Sequence, residues 1–214
     1  LIATLTEIKA LLGISVSTYD TQIKSYIPVV EEVICGHCRN DFIDYRPNGY
    51  TGINEVTVYA NRATLSFVAS TNSVNDSASG LAGLNFKVGD SVRVYNSLHN
   101  NQIFTIKTVA AGSIVFEDID TVKDEAAGFM VLMVRLNWPR ALKDTVANMI
   151  KFKLDKKINM AVKAESFDDY SYSTTDQKEY INGYPKSIMS NLKDYKCLIK
   201  KQYPLIELYN KQGG

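Results

Sequence analysis

Cys35-Gly36-His37-Cys38 is the stretch of this 214-residue chain best equipped for chemistry. Two thiols two residues apart can cycle between dithiol and disulfide. With His37, they also offer ligands to a soft metal ion such as zinc. A redox pair needs its first cysteine at a helix N-terminus, where the dipole and free N–H groups favour thiolate. It also needs a strand to deliver it and access to solvent. Here "IPVVEEVI" (27–34) precedes the pair as an amphipathic run. The cysteines therefore come near a helix end, where the dipole sign is wrong and raises a thiol pKa. Packing and helix termination, with Gly36 loosening the last turn, is the expected role. A structural zinc wants four ligands, commonly in two pairs. The other candidates, His99 and Cys197, come singly.

Further catalytic constellations do not emerge. The chain has only two histidines and lacks G-x-S-x-G, H-E-x-x-H, G-x-G-x-x-G and Walker patterns. The carboxylate pairs Glu31–Glu32 and Asp168–Asp169 are sequence neighbours. On a helix such neighbours point about 100° apart, so they read as solvated faces. No catalytic, cofactor-binding or metal-ligating residue is assigned. The chain is expected not to be an enzyme.

The elements that would hold these residues follow from periodicity. Leu5, Ile8, Leu11 and Leu12 repeat at helical spacing, with Thr4 or Thr6 as cap and Gly13 as stop. Ile23, Ile27, Val30, Ile34 and Cys38 form a second stripe, with Pro28 expected to kink it or restart it. From about Asn54 the period changes to two, in "EVTVYA", "ATLSFVAS", "FKVGDSVRVYNS", "NQIFTIKTVAAG", "SIVFEDI" and "GFMVLMVRLNW". "TNSVNDSASG" reads as a polar loop between them. At Pro139 the helical period returns, with Leu142, Val146, Met149, Ile150, Leu154 and Ile158 on one face. Pro185 opens a short helix with Ile188, Met189, Leu192 and Tyr195 inward.

The expected fold is α+β. An α-helical bundle of about four helices carries an inserted small antiparallel β barrel or sandwich. The expected divisions are 1–50 with 139–197 for the helical part, 51–138 for the β insert, and 198–214 for an extended tail.

Hydrophobic residues are 45% and charged residues 22%, a globular balance, and the formal net charge is +1. That charge gives no general attraction to nucleic acid or membrane. It is unevenly spread: Pro139–Gly214 holds 14 Lys and Arg against 9 Asp and Glu, leaving 10 against 14 before it. Three cysteines fit a reducing compartment. The opening "LIATLTEIKALLG" reads as an amphipathic helix rather than a signal peptide, and no apolar run reaches membrane-span length. A soluble, intracellular protein is expected. An oligonucleotide-binding barrel would want cations interleaved with aromatics on one face. The β block offers Arg62, Lys87, Arg93, Lys107, Lys123 and Arg135, which face several acids. Tyrosines in "DYSYS" and "EYINGYP" fit an interface or a lid over the bundle.

Three stretches carry a family resemblance. They are "TLTEIKALLGI" with "YDTQIKSYIPVVEEVI", then "CGHCRNDF", then "AVKAESFDDYSYS" with "GYPKSIMSNLKDYK". Without the β block, the frame resembles the head–tail connector (adaptor) proteins of tailed bacteriophages, over about residues 4–45 and 139–197. In that register Cys35–Cys38 is simply the end of the second helix.

The resemblance implies a structural virion protein without catalysis, cofactor or membrane. Copies, typically twelve, would form a ring under the portal protein ring. The ring would line the channel for viral double-stranded DNA, without sequence-specific binding, and dock a tail or stopper (neck) protein. It would serve genome packaging and ejection after assembly in the host cytoplasm. The tail residues Lys200, Lys201, Tyr203, Leu205, Ile206, Leu208 and Tyr209 are candidates for gripping the portal, and the insert would project outward or toward the tail. Two other readings stand beside it: a small β-module that binds a ligand or nucleic acid, and a thiol–disulfide oxidoreductase.

Overall fold

Thr4 starts the first helix, α1 (Leu5–Leu12), through a reciprocal capping box. Its hydroxyl accepts the Glu7 N–H, and the Glu7 carboxylate accepts the Thr4 N–H. Gly13 closes the helix at φ 67°, a left-handed turn that a side chain would disfavour. The structure, a computed structural model, describes residues 1–47, 54–159 and 180–197. The second helix, α2 (Asp20–Cys38), buries Ile23, Ile27, Val30, Ile34 and Cys38, the stripe its spacing predicts. It runs unbroken past Pro28, which removes one backbone donor without ending the helix.

The chain then turns at Arg39 and Phe42, both at positive φ (50° and 52°). A two-stranded ladder, β1 (Tyr45–Pro47) with β2 (Asn54–Val56), follows. Seven more strands make one antiparallel sheet: β3 (Tyr59–Arg62), β4 (Leu65–Val68), β5 (Ser73–Asp76), β6 (Ser91–Tyr95), β7 (Ile103–Val109), β8 (Ser113–Phe116) and β9 (Val131–Arg135). Their order is β3-β9-β6-β7-β8-β5-β4. Leu65, Phe67, Val74, Ile106, Ile114 and Met133 fill the core around the stacked rings of Phe104 and Phe116, 4.4 Å apart.

Two expectations are corrected here. The barrel is not closed. Although only two residues separate β3 from β4, they pair with β9 and β5 and not with each other. The irregular segment Glu125–Gly128 fills the seam, exchanging backbone hydrogen bonds with Phe67 and donating one to Ala63. The second correction concerns the "polar loop", which contains β5. Ser73 and Asp76 are buried there by hydrogen bonding rather than by apolar character.

The two ends of this β region meet at a neck. Ile43 bridges Leu136, Asn137 N–H donates to Phe42 O at 2.7 Å, and the Phe42 and Trp138 rings lie 5.0 Å apart. Arg135 grips the Asp44 carboxylate, which also takes the Thr57 hydroxyl.

Beyond the neck, α3 (Leu142–Asn159) buries Leu142, Val146, Met149, Ile150 and Leu154. A small hairpin, β10 (Tyr180–Ile181) and β11 (Tyr184–Pro185), turns at Asn182-Gly183, both at positive φ. The last helix, α4 (Lys186–Met189), is only four residues and tightens into a 3₁₀ turn over Ser190–Tyr195. Among the described residues the helical part is thus three full helices and a short terminal piece, which supports the bundle expectation only in part. The described chain forms two compact units: Ile2–Cys38 with Pro139–Lys196, and Arg39–Trp138.

Candidate functional site

In the helical unit, the Cys35–Cys38 stretch occupies the last turn of α2. Cys35 is 4% exposed and Cys38 fully buried. The Cys38 thiol points to the Leu192 carbonyl at 3.8 Å, tying the helix end to the terminal 3₁₀ turn. Neither a helix N-terminus nor solvent activates these thiols, so the dithiol chemistry lacks its physical basis. His37 contacts the Asn182 amide at 3.4 Å. Partial burial holds its imidazole below the usual pKa, and the Lys196 charge adds to this. Cys197 is half-buried. No group of three metal-ligating side chains occurs among the described residues.

The same junction gathers aromatic residues. The Lys153 ammonium lies 5.1 Å from the Tyr26 ring centre and 5.8 Å from that of Tyr184. Phe152 packs at 6.0 Å against both Tyr180 and Tyr184. Burial pushes the Tyr184 hydroxyl up to about 12 and holds the Lys153 ammonium below its usual value. So α2, α3 and the β10–β11 hairpin converge on one cation held between rings. Lys153 was not singled out by its sequence context. The "EYINGYP" tyrosines that meet it were.

Glu31 corrects a further expectation. It does not sit on a solvated face but is 1% exposed, and its carboxylate accepts the Ile2 N–H at 2.6 Å. This pins the segment ahead of α1, where Ile2 and Ala3 are buried. Asp168 and Asp169 lie outside the described residues, as do Tyr170 and Tyr172. The tail residues Lys200, Lys201, Tyr203, Leu205, Ile206, Leu208 and Tyr209 lie outside them too.

In the β unit, three of the six cations considered for nucleic acid are engaged within the unit. Arg62 is paired with Asp76, Lys107 with Asp118, and Arg135 with Asp44. Arg93 lies over the Tyr95 ring at 5.6 Å. These pairs neutralise three of the six cations, which weakens a basic face for a phosphate backbone. An open depression of about 310 Å³ runs along β3, lined by Thr57, Tyr59, Ala60, Arg62, Leu84 and Asn85 among others.

Two carboxylates that sequence reasoning passed over organise the loops. Asp76 accepts from Arg62, from the Thr64 hydroxyl and from the N–H groups of Ala78 and Gly80. A Cβ at Gly80 would meet the Arg62 guanidinium, which would have to shift from its place beside Asp76. Glu125, 7% exposed, accepts from the Ser97 hydroxyl, the N–H groups of Leu98 and His99, and the Asn100 amide. Burial alone would raise both carboxyl pKa values, but these hydrogen bonds outweigh it and leave both below the ordinary range.

Among the described residues no nucleophile, base and oxyanion site is brought together. What the geometry provides is well-anchored surfaces and helix junctions. No helix among the described residues is long and apolar enough to cross a membrane. No curated protein matches the chain. A family model does, over residues 2–101, and it is described as phage gp6-like head-tail connector protein. The match takes in α1 and α2 and runs on into the β unit through β6, while residues 139–197 lie outside it. Over residues 2–101, a little under half of its length, the chain is thus similar to the phage gp6-like head-tail connector family.

Proposed function

We propose that this protein is a structural component of a phage particle, a connector ring between the portal and the tail or stopper protein. The family match over residues 2–101 carries the reading. In it, about twelve copies line a channel through which double-stranded DNA passes without sequence readout. The ring resides in the virion neck after assembly in the host cytoplasm. The helical unit, together with the part of the β unit up to residue 101 that the match takes in, serves as the connector frame. The segment 198–214, with Lys200, Lys201, Tyr203, Leu205, Ile206, Leu208 and Tyr209, grips the portal through its mixture of cationic and large apolar side chains.

Light scattering after size-exclusion chromatography tests this, on the protein alone and with portal rings of the same virus. Co-elution at many copies per portal ring is expected. A chain that ignores the portal would overturn the reading. Deleting residues 198–214 should abolish portal attachment, and unchanged attachment would remove the tail from it.

A further inference from the structure

The seven-stranded sheet ends in β3 on one side and β4 on the other, and the two outer edges differ. At β4 the edge is plugged, because Phe67 exchanges two backbone hydrogen bonds with Glu125. At β3 no described strand pairs with the outer edge. Arg135 N–H donates to Val58 O, and this sets the alternation along the β3–β9 ladder. Ala60 and Arg62 turn their backbone groups to β9, while Tyr59 and Asn61 turn theirs outward. Outside that ladder, no described residue hydrogen-bonds to the Tyr59 backbone.

This edge opens into the depression of about 310 Å³, whose other wall is Gly83, Leu84 and Asn85. A four-residue edge beside a trough is a template for one more strand. Outward N–H and C=O groups at strand spacing select an extended polypeptide, since neither a helix nor a nucleic acid presents their complement.

The chain carries a matching segment outside the described residues. Leu205-Ile206-Glu207-Leu208-Tyr209 sets four large apolar or aromatic residues around one acid, bounded by Pro204 and Asn210. A short apolar run between turn residues is a strand signature, and its length suits the β3 edge. Charge agrees as well. Arg62 is the one cation lining the depression, with its side chain 29% exposed, and Glu207 is the one charged residue of the run. The described residues end at Cys197, and the eight residues from there to Leu205 can span up to about 26 Å.

We infer that residues 205–209 dock along the outer edge of β3 in the same chain, as an added strand. The contact belongs to the chain before it meets a partner, and the edge releases the tail where the portal takes it up. It is tested without the portal, so it can fail while the connector reading stands, and hold if that reading fails.

Site-resolved hydrogen exchange on the free, full chain follows the Tyr59 amide, with the Ala60 amide, which faces β9, as internal control. Deleting residues 198–214 should speed Tyr59 exchange at least tenfold and leave Ala60 unchanged. Ile206→Pro combined with Glu207→Pro keeps the tail but removes an N–H from each edge of the run, and should do the same. A photo-crosslinking p-benzoylphenylalanine in place of Tyr209 should form adducts with residues 57–62 or 83–85 of its own chain, which run as a monomer on a denaturing gel. Unchanged Tyr59 exchange in both variants would overturn the inference. So would adducts joining two copies of the chain, or adducts only to other parts of it.

Discussion

The helical unit and the β unit solve the problem of burial in different ways. Of the eleven buried polar or charged residues among those described, only Glu31 and Thr145 belong to the helical unit. The others, from Asn61 to Glu125, lie in the β unit. Helices satisfy their own backbone, so their inward faces can be plain hydrocarbon. The β unit has irregular seams and loops whose N–H groups must be met by side chains, so it buries carboxylates and amides. The helical unit depends on packing volume and the β unit on specific hydrogen bonds.

The largest expected effect tests that contrast directly. Asp76→Ala removes the acceptor for four donors around a side chain with no exposure. It should cost about 4 kcal/mol, in the range for stripping one partner from a buried polar network. Urea unfolding followed by the fluorescence of Trp138, the only tryptophan, measures this at the neck of the β unit. In the helical unit, Ile27→Ala should cost about 3 kcal/mol through lost burial and a residual cavity. Far-UV circular dichroism reads this one. If Asp76→Ala costs under about 1 kcal/mol, the contrast between the units is broken.

That contrast also explains what could be read in advance. The stripe from Ile23 to Cys38 was legible because a 3.6-residue period leaves its mark on the sequence. So was the placement of Cys35–Cys38 at a helix end. The strand β5 was not, because Ser73, Asn75 and Asp76 are turn-forming types whose burial here depends on partners elsewhere. Openness of the sheet was equally hidden. It turns on Glu125 meeting Phe67, a pairing across 58 residues that no local pattern encodes. Glu31 was within reach, since it lies four residues after Ile27 on the buried face, but its charge argued for solvent. Of the candidate site, the tail lies outside the described residues, and the Lys153 cradle depends on three elements converging.

A pH experiment sharpens the contrast with a smaller effect. Asp120 is 4% exposed and accepts the Thr105 N–H at 2.6 Å. Burial raises its carboxyl to about 6, with the Thr105 hydrogen bond opposing the rise. The folded state therefore holds this proton more tightly than the unfolded chain, whose carboxyl titrates near 3.8. Stability from this group is fully present below about 4 and is lost as pH rises through about 6. Asp120→Asn has no such charge to bury. It should stabilise the protein by about 1–2 kcal/mol at pH 7.5, after allowance for a weaker bond to Thr105, with the advantage fading toward pH 4. Thermal melts of both proteins at several pH values would show it. A constant difference across pH would mean that Asp120 is not the titrating group.

The smallest effect belongs to the helical unit, where polar groups sit at the rim. Thr4→Ala removes the side-chain acceptor of the capping box but leaves Glu7 able to accept the residue 4 N–H. The Glu7 carboxyl is held below its usual pKa chiefly by Lys143, and also by the Thr4 backbone N–H, so its charge survives the change. The lost cap should cost about 1 kcal/mol, and Thr4→Ser should restore most of it. Glu7→Gln on the Thr4→Ala background then isolates the carboxylate's share. If the two changes add independently, the box acts as two separate caps. If the second costs nearly nothing after the first, the reciprocal geometry is the unit of stability. In that case even the rim of the helical unit is held by a specific network of the kind that dominates the β unit.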